Sequence, residues 1–433
     1  MNSFISTRRG ARSSLADALS QGLAPDGGLF VPTYDGSFPP PPREPDPTFA
    51  DTAQWAAPTL MPGVARSLLE ASIDEAFDFP IPLVEVEPDL WVLELFHGPT
   101  HAFKDVGARF MARLMARLLP RDGERTVLVA TSGDTGGAVA AAFHGVPGYR
   151  VAVLFPKEGV SERQRRQMTT LGGNVTALSV SGTFDDCQRL AKEAFMDRAL
   201  SERFRWTSAN SINVGRLLPQ AFYYLHAARL LGWAERRATF IVPCGNLGNL
   251  CAGLLAHRFG MPASGFLAAT NVNRAFVDFL EGGAYQPRPS VHTASNAMDV
   301  GDPSNLERIL WMYEGDVERI RQDVRAASVS DEVTARTIGS VYERTGYVLD
   351  PHTAVAYHVA ETEPGRRSSE TPMVVLSTAH PAKFPDIVER ATGRNVSLPP
   401  GLARAMDKDE HMIDIEPRLG ALAGALDSAR GTA

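Results

Sequence analysis

Lys104 lies in the stretch His97-Gly98-Pro99-Thr100-His101-Ala102-Phe103-Lys104-Asp105, between two segments of opposite character. Upstream, residues 90–96 form an apolar run that reads as a strand. Downstream, Phe110, Met111, Leu114, Met115 and Leu118 recur at helical spacing across 106–119. A lysine on a short strand-to-helix turn is held still while its amine reaches into a cleft. Schiff-base chemistry needs that combination, with burial lowering the amine pKa toward neutrality. A Phe-Lys-Asp triplet in isolation is more often a surface lysine opening a helix, so its companions decide the matter.

The strongest companion is Phe240-Ile241-Val242-Pro243-Cys244, an apolar strand running into Gly245-Asn246-Leu247-Gly248-Asn249 and then a helix rich in small residues. Glycines let successive N–H groups converge on one point, and the following helix N-terminus adds positive dipole. This is a cradle suited to one phosphate, although in isolation it also reads as a tight turn. It has neither the Lys-Ser/Thr ending of a P-loop nor the G-x-G-x-x-G spacing of a dinucleotide site.

Three polar loops accompany it. Thr131-Ser132-Gly133-Asp134-Thr135-Gly136 suits a carboxylate or a second phosphate, or else a helix cap made by Ser132 or Asp134. Asn210-Ser211-Ile212-Asn213-Val214-Gly215-Arg216 ends in a permanent cation able to grip a phosphorylated substrate, or to sit on a surface. Ser377-Thr378-Ala379-His380-Pro381-Ala382-Lys383-Phe384 leaves an apolar run and offers a hydroxyl to a heteroaromatic nitrogen. One lysine nucleophile, one single-phosphate cradle and such loops together suggest pyridoxal 5′-phosphate, which needs an amine, phosphate donors and a partner for its ring nitrogen.

The elements that must position these loops alternate. Strands are expected at 126–130, 149–155, 175–180, 238–242, 265–270 and 373–376, with helices from about 136, over 162–171 and over 184–200. That order argues for open, mostly parallel α/β sheets, which bind ligands outside the carboxyl ends of their strands. Residues 39–47, PPPPREPDP, exclude a helix or central strand and read as an extended connection. Residues 419–433 read as a frayed tail or a last amphipathic turn.

Composition narrows the class. With 433 residues, 44% of them hydrophobic, the chain can bury a large core and divide into at least two domains. A formal charge of −7 gives no basic footprint for nucleic acid, and no run approaches eighteen apolar residues, which argues against a membrane span. Cys187, Cys244 and Cys251 form no metal-ligand pattern, and their odd number fits a reducing, cytoplasmic setting. The Ser- and Arg-rich residues 1–14 faintly suggest an organellar leader, but they run without a cleavage region into Gln21-Gly22-Leu23-Ala24-Pro25-Asp26-Gly27-Gly28.

Over nearly its whole length the chain resembles the threonine synthases of the longer branch found in many bacteria and fungi. The matches begin at Ser6-Thr7-Arg8 and 21–32, and take in all the loops above. They continue through Asn296-Ala297-Met298-Asp299, Pro303-Ser304-Asn305, Glu307-Arg308 and Asp350-Pro351-His352-Thr353. The resemblance implies a fold-type-II, tryptophan-synthase-β-like enzyme that turns O-phospho-L-homoserine and water into L-threonine and phosphate. It further implies a pyridoxal-phosphate aldimine on Lys104. Phe103, Asp134, Gly245 to Asn249 and Thr378 would contact the cofactor. Thr100, Ser132, Thr135, Asn210, Ser211, Asn213 and Arg216 would contact the substrate.

The expected organisation is an N-terminal unit over 1–90, a smaller domain over 107–225, and a larger cofactor domain from 91–106 and 226–433, as a monomer or homodimer. Val214-Gly215 and Cys244 depart from the family pattern, which usually has a tryptophan with a small residue and a threonine. Asp134 beside a cofactor phenolate needs a proton or a nearby cation. Two alternatives remain: a phospho-lyase giving 2-oxobutyrate, and a non-catalytic protein binding the cofactor or an amino acid.

Overall fold

Runs of Val, Leu and Ile flanked by Gly and Pro become central strands buried on both faces, as parallel sheets require. The computed structural model describes residues 3–8, 10, 12–33, 36–120, 122–363, 368 and 370–431. The larger sheet has six strands, in spatial order Val324–Ser328, Gly265–Thr270, Thr239–Pro243, Met373–Ser377, Leu90–Glu94 and Leu83–Glu87. All neighbours are parallel except the last pair, which is antiparallel and carries a register shift. The smaller sheet is wholly parallel, ordered Ile413–Ile415, Val175–Val180, Tyr149–Pro156, Arg125–Ala130 and Trp206–Ser208. A third, antiparallel sheet of Arg12–Ser13, Phe4–Ser6 and Phe30–Pro32 forms the N-terminal unit.

Two boundaries differ from expectation. Leu83–Glu87, expected in the N-terminal unit, is the edge of the larger sheet. The end of the chain, expected in the larger domain, belongs to the smaller one: Ile413–Ile415 pairs with Val175–Val180. The Leu419–Gly431 helix buries Leu422 and Leu426 in the same cluster as Cys187, Leu190 and Phe204. It is therefore a packed helix of three turns, not a frayed tail. Residues 184–200 break into two helices, Phe184–Met196 and Arg198–Phe204, because Asp197 caps the second through Leu200 N–H. The proline-rich connection is extended, and buried Arg229 fastens it through Pro42 C=O and Glu44.

The strand register matters most for the site. Ser377 lies opposite Glu94, and Thr239–Ile241 opposite Met373–Val375. The three strands thus end level, and the loops carrying Lys104, Gly245 and Thr378 leave the same edge of the sheet side by side. Among the described residues no helix is long and apolar enough to cross a membrane.

Candidate active site

Lys104 is the first residue of the Lys104–Leu118 helix. The turn before it is zipped to the exit of the neighbouring strand. Phe103 N–H donates to Thr378 C=O at 2.9 Å, Ala102 bridges Ala379, and His380 N–H donates to His101 C=O at 3.1 Å. His101 adopts φ 56°, a left-handed conformation that a side-chain-bearing residue takes only where surrounding contacts impose it. Lysine and threonine are thereby fixed to one another through main chain alone.

The Lys104 side chain is 14% exposed, and its Nζ lies 4.7 Å from the Phe103 ring centroid. Burial pushes its amine down to about 8, with Asp134 pulling the other way and Lys383 and Arg216 adding to the depression. An amine in that range still carries its proton most of the time near physiological pH, but its neutral form, which attack on an aldehyde requires, is far more populated than in an ordinary lysine.

Asp134 opens the Asp134–Phe143 helix of the smaller domain and reaches across to the larger one. Its Oδ2 lies 3.9 Å from Lys104 Nζ, and its Oδ1 2.6 Å from Lys383 Nζ. Gln164 Nε2 also donates to Oδ1, at 2.9 Å. Burial alone would raise this carboxyl, but the Lys383 and Lys104 cations more than offset that and hold it well below the usual carboxylate range. The cation that the sequence left open beside Asp134 is Lys383.

The helix cap expected from Ser132 or Asp134 is made instead by Thr131. Its Oγ1 accepts from Gly133 and Gly136 N–H, at 3.0 and 2.9 Å. Ser132 and Thr135, half-buried, thus have no part in capping this helix.

In the glycine loop, Leu247 adopts φ 56° and Gly248 begins the Gly248–Arg258 helix, whose first N–H groups have no partner within the helix. A Cβ on Gly245 would stand 2.8 Å from Met298 Cα and 2.9 Å from Ala297 O, so only glycine fits there. Asn246 staples the loop by donating to Ser211 Oγ at 2.7 Å and accepting from Ser304 N–H at 2.5 Å. Asn249 Oδ1 accepts from the hydroxyls of Tyr223 and Tyr224 at 2.6 and 2.7 Å. Asn249 Nδ2 is buried with no hydrogen-bond partner among the described residues, as are Asn210 Oδ1, Asn296 Oδ1 and Arg216 Nε. Unpaired buried polar atoms are costly unless a ligand completes them. A glycine cradle at a helix N-terminus, a buried amide donor beside it and an amine whose pKa is lowered fit a singly phosphorylated aldehyde cofactor.

Two expected substrate contacts are committed elsewhere. Thr100 Oγ1 and N–H both donate to buried Asp105, at 2.7 and 2.9 Å. Asn213 caps the turn at Val214–Leu217 through Gly215 N–H, and its Nδ2 donates to Leu19 and Ser208 C=O. Both side chains spend their hydrogen bonds within the protein. Arg216 is buried, with Nη1 on Ala209 C=O at 2.5 Å; burial pushes its guanidinium down to about 10, opposed by Asp105. Val214 and Gly215 are both buried, and a Cβ on Gly215 would stand 2.2 Å from Leu19 Cδ2, so a residue without a side chain fits there beside the N-terminal helix; nothing in the structure explains Val214 in place of tryptophan.

Sequence reasoning gave no site role to Lys383, Gln164, Asn296 or Arg308, although it quoted the segments that hold Asn296 and Arg308. Lys383 lies inside a motif it quoted; a lysine between Ala382 and Phe384 was the available signal.

This fold and this cluster define a pyridoxal-phosphate-dependent enzyme of fold type II, and the match of residues 78–379 to the family model "Pyridoxal-phosphate dependent enzyme" agrees. Residues 3–42 match "Threonine synthase N terminus" and 353–424 "Threonine synthase, C-terminal". Threonine synthase of Escherichia coli K12 is 40% identical over 91% of this chain and 92% of its own; that of Saccharomyces cerevisiae is 34% identical over 90% and 88%. A PLP-bound threonine synthase structure from Brucella melitensis superposes with TM-score 0.91 at 38% identity, covering 98% of this chain and 99% of the other. The chain belongs to the threonine synthase family, whose members are pyridoxal-phosphate-dependent lyases.

Proposed function

We propose that this chain converts O-phospho-L-homoserine and water into L-threonine and phosphate, with the cofactor attached to Lys104. The observation that carries the reading is the zipping of the Lys104 turn to Thr378 at the strand edge that also bears the Gly245–Asn249 loop. Gly245, Leu247, Gly248 and Asn249 would hold the cofactor phosphate, Thr378 the ring nitrogen, and Phe103 one side of the site. The cofactor, when bound, supplies an electron sink beside the substrate α carbon.

The residues do the rest. The substrate amine releases Lys104 Nζ, which then stands where it can take the α proton and later return it. The same amine can take the β proton as phosphate leaves the γ carbon and deliver a proton to that γ carbon, which becomes the methyl group, before water adds its hydroxyl at the β carbon. Ser132 and Thr135 would meet the substrate carboxylate; Asn210, Ser211 and Arg216 would meet the outgoing phosphate. Three buried thiols suit a reducing, cytoplasmic setting.

The test is a product assay on O-phospho-L-homoserine that quantifies phosphate, threonine and 2-oxobutyrate together. Threonine equal to phosphate supports the reading; phosphate with 2-oxobutyrate and no threonine replaces it with a phospho-lyase.

A further inference from the structure

Lys383 has no exposed surface and none of the freedom of a substrate-binding lysine. It sits in the short helical turn Pro381–Lys383, after the strand that ends at Ser377. Its Nζ is 2.6 Å from Asp134 Oδ1 and donates to Thr100 C=O at 3.0 Å. That carbonyl also accepts from Gln167 Nε2 at 3.0 Å, and Arg163 donates to Ala382 C=O. One carboxylate from the smaller domain is therefore shared between two lysines of the larger one. Lys383 holds it at hydrogen-bond distance; Lys104 stands 3.9 Å from the other oxygen.

We infer that Lys383 is a positioning residue that acts through Asp134: it takes up the carboxylate's charge so that the Lys104 amine can be neutral when it meets the cofactor aldehyde. Were Asp134 to face Lys104 alone, buried carboxylate and ammonium would form a closed pair, and the amine would be held protonated. With Lys383 bonded to Oδ1, the second lysine meets a carboxylate whose charge is already matched.

The three groups face a small set of charged neighbours, and Asp134 also feels His352 besides its two lysines. Lys104 feels Asp134 and, more weakly, Asp350 as anions, against Lys383 and Arg216 as cations. Lys383 in turn faces Asp134, Asp105, His101, His380 and Lys104. Burial pushes His101 down to about 4, with Lys383 adding to it, and His380 is lowered too, so near neutral pH neither imidazole adds a cation.

The inference rests on the reading that Lys104 carries the cofactor, but its test involves no turnover. The full-length protein, freed of cofactor, is acetylated briefly with acetic anhydride across a pH series. Acetylation of the Lys104 peptide is read by mass spectrometry, and the midpoint reports the amine whatever its accessibility. The expected wild-type midpoint lies at about 8.

Lys383→Met should raise the midpoint by about one pH unit or more, the size of shift a nearby unmatched charge produces. Lys383→Arg, which keeps the cation, should leave it close to wild type. Asp134→Asn should lower it, because the repulsion from Lys383 then stands alone. Loosened packing would instead move every variant upward, toward an ordinary lysine. An unchanged midpoint in Lys383→Met, a rise in Lys383→Arg equal to it, or a rise in Asp134→Asn would each overturn the inference. If Lys383→Met does not fold, Lys383→Gln, which keeps a donor toward Asp134 without the charge, takes its place, and an unchanged midpoint in it would overturn the inference. Absence of threonine in the product assay would refute the proposed reaction and leave this titration standing.

Discussion

Arg308 Nη1 donates to Asn305 Oδ1 at 2.5 Å, and Asn305 Nδ2 in turn donates to Asn246 C=O in the glycine loop at 2.9 Å. The same guanidinium, wholly buried, also donates to Phe30, Ser211 and Ile212 C=O. One side chain thus joins the N-terminal sheet, the Asn210-Ser211 loop and the cofactor loop.

Arg308→Met removes that joint and leaves four acceptors without their donor. Unsatisfied buried acceptors cost about 1–3 kcal/mol each, so the expected loss is about 3 kcal/mol or more. Urea unfolding should show it as a lower midpoint with unchanged slope. Cofactor affinity, followed by absorbance during titration, should fall as well; an unchanged affinity would mean that the loop holds its shape unaided.

Gly245→Ala should spare the fold and injure the cradle. The added methyl meets main-chain atoms of Ala297 and Met298, which cannot rotate away as a side-chain tip would. The Ala297 segment is itself held by His352, whose Nε2 accepts from Ala297 N–H at 3.2 Å. A tenfold or larger loss of cofactor affinity, about 1.4 kcal/mol, is the expected result. Equilibrium dialysis of pyridoxal phosphate against both proteins checks it.

How much of this was legible in the sequence depended on how local the signal was. The Lys104 turn, the glycine loop and most strands of both sheets follow from periodicity and from Gly and Pro placement, which act within a few residues. Partnerships across the fold did not follow. Thr100 looked available until Asp105 took it, and Asn213 looked available until it capped its own turn. The same polar side chains serve ligands and main chain alike, so type and spacing cannot assign them. Ile413–Ile415 was illegible for another reason. Two of its three residues are exposed, and its place is set by a strand more than two hundred residues earlier.

His226 gives the fold a pH dependence. It is buried, with Nδ1 3.0 Å from Thr52 Oγ1, and burial aided by Arg229 pushes it down to about 4. Its folded pKa lies below the unfolded value of about 6.5, so between these values the unfolded chain binds the extra proton. Stability from this group is complete above about pH 6.5 and is lost as pH falls toward 4. From pH 7 to pH 5 the loss is about 2 kcal/mol. His226→Gln should shrink the wild-type difference between those two pH values by about that amount in chemical denaturation. An unaltered difference would show that His226 protonates without cost.

The central claim is that Lys104, and neither Lys383 nor any surface lysine, carries the cofactor. Its most direct test is borohydride reduction of the loaded protein, followed by proteolysis and mass mapping of the pyridoxyl group. The expected result is a single labelled peptide with the mass on Lys104. Label on Lys383, or a spread over exposed lysines with Lys104 unmodified, would contradict the account.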